Sequence, residues 1–143
     1  MTPRTILIAT DFSEQAEKAT TYGLELARAF GARVHLVHTW AVSFVSSADL
    51  PTAVPATFID DVAKGAQQAL DEALKRHQAA GVTLTGAAAY GDARDVVVDT
   101  ARQMGADLII VGTHGRRGVR RALLGSVAES VVRHAPCPVL VVR

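Results

Sequence analysis

The chain has 143 residues, one cysteine and a formal charge of +1, which suits one domain spanning 1–143 and excludes a disulfide scaffold, a Cys-based zinc site and a bulk-charge signature of nucleic-acid or membrane partners. Hydrophobic residues make up 49% of the chain but aromatics only 5%, so Val, Leu, Ile and Ala must build the core. No apolar run approaches the roughly 18 residues of a membrane span, and Thr2-Pro3-Arg4 leads into the first apolar stretch without a signal-peptide core. The expectation is a soluble, cytoplasmic protein.

Arg4–Thr10 reads as a first strand, apolar and β-branched. Gln15 to Phe30 then places Ala16, Ala19, Gly23, Leu26, Ala27 and Phe30 at helical spacing and stops at Gly31. Arg33–Thr39 is a second strand. Ala41 to Phe58, rich in Ser, Thr, Pro and Asp, reads as a long loop. Asp61 to Ala80 is a helix with Val62, Ala66, Ala69, Leu70, Ala73, Leu74 and His77 on one face, ended by Gly81. Val82–Thr85 is a third short strand. Asp92 caps a helix running through Val96, Val97, Thr100 and Met104 to Gly105, and Asp107–Val111 is a fourth strand. Ser126-Val127-Ala128-Glu129 has capping-box form and opens a fourth helix carrying Ala128, Val131, Val132 and Ala135. Pro136 stops it, and Pro138–Val142 is the fifth strand.

Strand and helix alternate throughout, which is the pattern of an open, doubly wound α/β sheet with parallel strands and helices on both faces. In such a sheet the ligand crevice lies beyond the carboxyl ends of the strands, where strand order reverses. That confines the search to Thr10-Asp11-Phe12-Ser13, His38-Thr39-Trp40, Ala89-Tyr90-Gly91-Asp92 and the segment opened by Gly112. Charge singles out the last of these. Residues 112–143 hold six bases and one acid, whereas residues 1–111 hold nine bases and thirteen acids. Arg116, Arg117, Arg120 and Arg121 fall in six positions, divided between solvated surface and a field for phosphate.

Glycine at the end of a strand lets the backbone approach a ligand, and successive amide N–H groups can converge on phosphate oxygens. Here Gly112 and Gly115 follow the fourth strand, and Gly125-Ser126 returns at a helix N-terminus, a second anion-binding point. A loop that leaves and returns to one crevice suits a di- or triphosphate. Two other glycine signatures fail. No Lys-Ser or Lys-Thr occurs in the chain, so there is no Walker A loop, and the first strand–helix turn contains no glycine, so there is no dinucleotide fingerprint.

The spacing Gly112-x2-Gly115-x9-Gly125-Ser126 resembles the nucleotide-binding branch of the universal stress protein family, whose pattern is G-x2-G-x9-G-[ST]. The similarity extends to the opening Ile6–Ser13, the Ala106–Val111 strand and the closing Ala135–Val142, and so covers the whole chain. The resemblance implies a five-stranded parallel sheet in the order 3-2-1-4-5, ATP or ADP as ligand, and a homodimer paired through the fifth strand at Val139, Leu140 and Val141. It implies that Asp11 approaches the adenosine end and that Val37, His38 and Thr39 border the adenine. Val111, Gly112, His114 and Gly115 then follow ribose and phosphates, while Gly125, Ser126 and Val127 hold the terminal phosphates. It further implies regulatory work in a stress response, with a downstream partner that the sequence does not name.

Each of these residues also has a plainer reading. Gly112 and Gly115 serve as turn glycines, Ser126 as a helix cap, and Asp11 or Ser13 as a cap for the first helix. Trp40 borders a base pocket or anchors a loop, and Cys137 is a small apolar filler. A protein-only metal centre is rejected: His35 and His38 are three apart in a strand, and His77 and His134 lie elsewhere. Magnesium arrives, if at all, with the phosphates. No histidine–acid–nucleophile set accompanies Asp11, so the expectation is binding with at most slow ATP hydrolysis. The residues leave two alternatives open, a slow ATPase or phosphotransferase and a structural dimer with no nucleotide.

Overall fold

The computed structural model describes residues 2–42, 54–78, 81–114 and 124–143. Within them the order is β1 (Thr5–Ala9), α1 (Glu14–Phe30), β2 (Arg33–Trp40), α2 (Ala56–His77), β3 (Leu84–Tyr90), α3 (Ala93–Met104), β4 (Leu108–Gly112), α4 (Ser126–His134) and β5 (Val139–Val142). The strands form one parallel sheet in the order β3-β2-β1-β4-β5. Order reverses between β1 and β4, so the crevice of this sheet lies above those two strands.

Alternate side chains of each strand enter two cores. On one face Ile6, Ile8, Val34, Leu36 and Ile110 pack with Ala19, Leu24 and Ala27 of α1 and Leu70 of α2. On the other, Leu7, Val37, Ile109 and Val111 pack with Val97, Val98 and Ala101 of α3 and Ala128 and Val131 of α4. The central strands are therefore covered on both faces, as their unbroken apolar runs require. β5, at the edge, is half-buried along its length.

Several sequence expectations need correction. Phe30 and Val132, expected in the core, are 47% and 49% exposed. On α3 the buried positions are Val97, Val98 and Ala101, a small rotation from the expected stripe. The third strand is Leu84–Tyr90, not Val82–Thr85. α2 begins at Ala56, so the last three residues of the expected long loop are helical. Two helix ends are as expected: Gly31 and Gly105 close α1 and α3 in the left-handed conformation. The rest of that loop beyond Val42, apart from Val54 and Pro55, lies outside the described residues, as do Gly115 and Arg116, Arg117, Arg120 and Arg121.

Candidate functional site

The first wall of the crevice is the turn between β1 and α1. The Thr10 N–H extends the sheet by donating to the Val37 carbonyl at 2.9 Å. His38 then locks the turn from β2, its Nδ1 lying 2.9 Å from the Thr10 carbonyl oxygen. A carbonyl only accepts, so Nδ1 carries the proton in this contact. Phe12 takes a left-handed φ of 60°, a conformation that costs a bulky residue of order 1–3 kcal/mol. Two contacts hold it there. Its N–H donates to Thr10 Oγ1 at 3.1 Å, and its ring lies 4.4 Å from the His38 ring.

Asp11 and Ser13 divide the capping work. Asp11 Oδ1 accepts the Ser13 N–H at 3.0 Å, and Ser13 Oγ accepts the Ala16 N–H at 3.2 Å as the N-cap of α1. Glu14 pairs with Lys18 at 3.0 Å, and of the two expected cap candidates Ser13, not Asp11, caps α1. Asp11 shapes the turn that carries it into the crevice.

The opposite wall is the end of β4 and the start of α4. A Cβ on Gly112 would lie 3.2 Å from the backbone carbon and oxygen of Gln15. Glycine lets the first turn of α1 seat closely on β4, where a side chain would force the Gln15 backbone to give. Beyond it the Thr113 N–H donates to the Val142 carbonyl at 2.9 Å, and the Gly125 N–H donates back to the Thr113 carbonyl at 2.7 Å. Thr113 and Gly125 are therefore tied backbone to backbone. Gly125 is held as tightly as Gly112, since a Cβ there would stand 2.8 Å from the Thr113 oxygen.

Gly125, not Ser126, is the N-cap of α4. It has extended backbone (φ −70°, ψ 157°), its carbonyl accepts the Glu129 N–H at 2.9 Å, and no side chain among the described residues caps the helix. The expected capping box is absent because Ser126 is already inside the helix and Glu129 pairs with Arg133 at 2.9 Å. Ser126 and Val127 thus bring first-turn N–H groups, uncapped by a side chain, to the positive end of the helix dipole.

Val37 and Val111 belong to the α3/α4 core, 1% and 3% exposed, and form the floor beneath the crevice. Thr39 and His114 are partly buried. The sheet thus brings Asp11, Val37, His38, Thr39, Val111, Gly112, His114, Gly125, Ser126 and Val127 to its carboxyl edge, and Gly115 lies outside the described residues. Beside Thr39, Trp40 and Tyr90 are register partners whose rings meet edge-on at 5.0 Å, so Trp40 has an aromatic neighbour at the outer end of the crevice.

Several charged and titratable groups outside the crevice have structural roles. Asp92 caps α3, and the Arg94 side chain and N–H hold its carboxyl down to about 2. Asp107 accepts the Arg4 and Thr5 N–H groups at the opposite end of the strands, and those bonds lower its pKa. Burial lowers the pKa of His35, whose Nδ1 lies 2.8 Å from Thr85 Oγ1, and burial raises that of Cys137, which packs on the α3/α4 core. His77 Nε2 stands 2.7 Å from Glu17 Oε1, joining the end of α2 to α1. Among the described residues no three His, Cys, Asp or Glu groups gather as metal ligands, and no helix is long and apolar enough to cross a membrane.

Sequence reading missed one polar group at the switch point. Gln15 Oε1 is buried and has no hydrogen-bond partner among the described residues. On a helical wheel this position is an ordinary first-turn polar residue, and only the seating of α1 on Gly112 singles it out.

The sequence profile of the universal stress protein family matches residues 2–143. Universal stress protein MJ0531 of Methanocaldococcus jannaschii is 36% identical over 140 residues, covering 96% of this chain and 81% of the relative. Among solved structures, universal stress protein UspA from Lactobacillus plantarum superposes with a TM-score of 0.81 at 27% identity, covering 97% of both chains. A universal stress protein in complex with cAMP superposes with a TM-score of 0.72 at 26% identity, covering 100% of this chain and 98% of that one. A parallel sheet of order 3-2-1-4-5, with a crevice between the β1 turn and the start of α4, is thus found in a chain matched along its length, and this protein belongs to the universal stress protein family.

Proposed function

We propose that the crevice binds an adenine nucleotide, ATP or ADP, and that its occupancy controls the shape or partners of a cytoplasmic stress-response regulator built as one domain. The observation that carries this reading is the glycine-closed start of α4. Gly125 is pinned to Thr113, no side chain among the described residues caps the helix, and Ser126 and Val127 open its first turn directly beyond that tie. Such a terminus suits phosphate oxygens through its free donors and its dipole. The relative found with cAMP supports a nucleotide as the ligand class, and the G-x2-G-x9-G-[ST] spacing supports more than one phosphate.

In this reading Gly112, His114 and Gly115 follow the ribose and phosphates, Gly125, Ser126 and Val127 hold the terminal phosphates, and Asp11 with Val37, His38 and Thr39 borders the nucleoside. Magnesium accompanies the phosphates, with no set of protein ligands of its own. The protein binds without appreciable turnover, because positioning a phosphate does not activate an attacking group and the Asp11 carboxylate accepts the Ser13 N–H of its own turn. Association runs through the edge strand β5, where a second copy pairs antiparallel at Val139, Leu140 and Val141 about a two-fold axis. Identifying the small molecules released on denaturing freshly purified protein tests the reading. Adenine nucleotide near one per chain is expected, and release of a different cofactor class would contradict it.

A further inference from the structure

We infer that Gln15 is a ligand-contacting residue whose side-chain oxygen accepts a hydrogen bond from a ribose hydroxyl of the bound nucleotide. The inference rests on the nucleotide reading and adds to it a residue that no glycine motif marks. Gln15 stands in the first turn of α1, two residues after the Ser13 N-cap. Its backbone is seated against Gly112 so closely that a Cβ there would come within 3.2 Å. That seat fixes it where the sheet order changes from β1 to β4. Its Oε1 is buried without a partner among the described residues. A buried acceptor left unpaired is costly, and native proteins rarely keep one without a use.

The chemistry of the orphan atom narrows what it receives. Oε1 accepts, so it needs a donor. At neutral pH phosphate oxygens offer essentially none, and the donors of an adenine nucleotide are its ribose hydroxyls and the amino group of the base. Position selects between them. The base is assigned to the end of β2, at Val37 to Thr39, and the terminal phosphates to Gly125 and Ser126. The backbone of Gln15 is seated on Gly112 at the end of β4, beside the position assigned to the ribose. The 2′- and 3′-hydroxyls share this chemistry.

The experiment titrates intact protein and Gln15→Leu with ATP, 2′-deoxy-ATP and 3′-deoxy-ATP by calorimetry, and records ligand-free melting curves. For the wild type, one deoxy analogue binds about tenfold more weakly than ATP, as expected for one lost hydrogen bond of about 1.4 kcal/mol. That analogue names the hydroxyl. In Gln15→Leu, ATP weakens to the level of that analogue and the difference between the two disappears. The ligand-free variant melts at or above the wild-type temperature, since an unpaired acceptor has been removed. Gln15→Met repeats the cycle with an unbranched side chain in case Leu disturbs the turn. Equal ATP affinity in wild type and both variants would overturn the assignment, as would an equal loss for all three nucleotides. A wild type that binds none of them contradicts the nucleotide reading itself, so the two failures are distinct.

Discussion

Gly125 donates its N–H to the Thr113 carbonyl at 2.7 Å, so the chain leaving β4 and the chain entering α4 are tied at the mouth of the crevice. This bond brings together in space two ends that the glycine spacing sets apart in the sequence. It also leaves no room for a side chain at Gly125, where a Cβ would meet that same carbonyl oxygen at 2.8 Å.

Gly125→Ala and Ser126→Ala should therefore behave differently. The backbone oxygen of Thr113 cannot swing aside as a side chain would, so Gly125→Ala is expected to lose about 1–3 kcal/mol of stability through overpacking. Ser126 is not the cap, so Ser126→Ala should leave stability within about 0.5 kcal/mol while weakening nucleotide binding. Chemical denaturation paired with calorimetry checks both. A large stability loss in Ser126→Ala would restore its capping role.

The edge strand gives a sharper test of assembly than its apolar sequence suggested. Ile109 donates to the Pro138 carbonyl and Thr113 to the Val142 carbonyl, so the backbone groups of residues 138, 140 and 142 face β4. By alternation, Val139 and Val141 direct their N–H and C=O groups outward. A proline at Leu140 breaks the β4–β5 ladder and should destabilise the domain. Val141→Pro removes one outward donor and should yield a folded protein with about half the native assembly mass by light scattering. An unchanged dimer in Val141→Pro would place association on another surface.

How much of this was legible in the sequence differs from element to element. β1 and β4 are apolar and rich in β-branched residues, and their propensity, pattern and burial agree. β3 was misplaced because its middle is Gly86-Ala87-Ala88-Ala89, which carries no strand propensity. Packing explains the choice: a Cβ on Gly86 would lie 3.1 Å from the Leu36 carbonyl oxygen and 3.2 Å from Leu70 Cδ1, so small residues are what admits α2. Helix starts at Ser13 and Asp92 were readable because a side chain caps each. The start of α2 after Pro55 has no such signal, whereas α4 begins at Ser126 as the sequence suggested, with Gly125 rather than Ser126 as its cap. The spacing singled out Gly112 and Gly125, both of which the structure seats against backbone with little room for a side chain. The left-handed Phe12, its contact with His38 and the orphan oxygen of Gln15 arise only from tertiary seating.

Asp92 predicts an acid-limb effect. Its carboxyl is held at about 2 against an ordinary value of 3.8, so a depressed folded value means stabilisation that is present above about 3.8 and is lost as pH falls toward about 2. Melting temperature should fall through that window, and Asp92→Asn should flatten part of the fall while retaining a capping side chain. An identical acid limb in the variant would remove Asp92 from the account.

Catalysis is tested by steady-state phosphate release on rigorously cleaned protein. Less than one turnover per minute is expected, unchanged in Asp11→Ala. Multiple turnovers that vanish in that variant with ATP still bound would establish an ATPase.

The most direct measurement of the central claim is calorimetric titration of the purified, ligand-stripped protein with ATP, ADP, GTP and NAD. Saturable binding of ATP and ADP near one per chain, with weaker or no heats for GTP and NAD, is predicted. Equal heats for GTP, or none for ATP up to about millimolar concentration, would contradict an adenine-nucleotide site between the β1 turn and the start of α4.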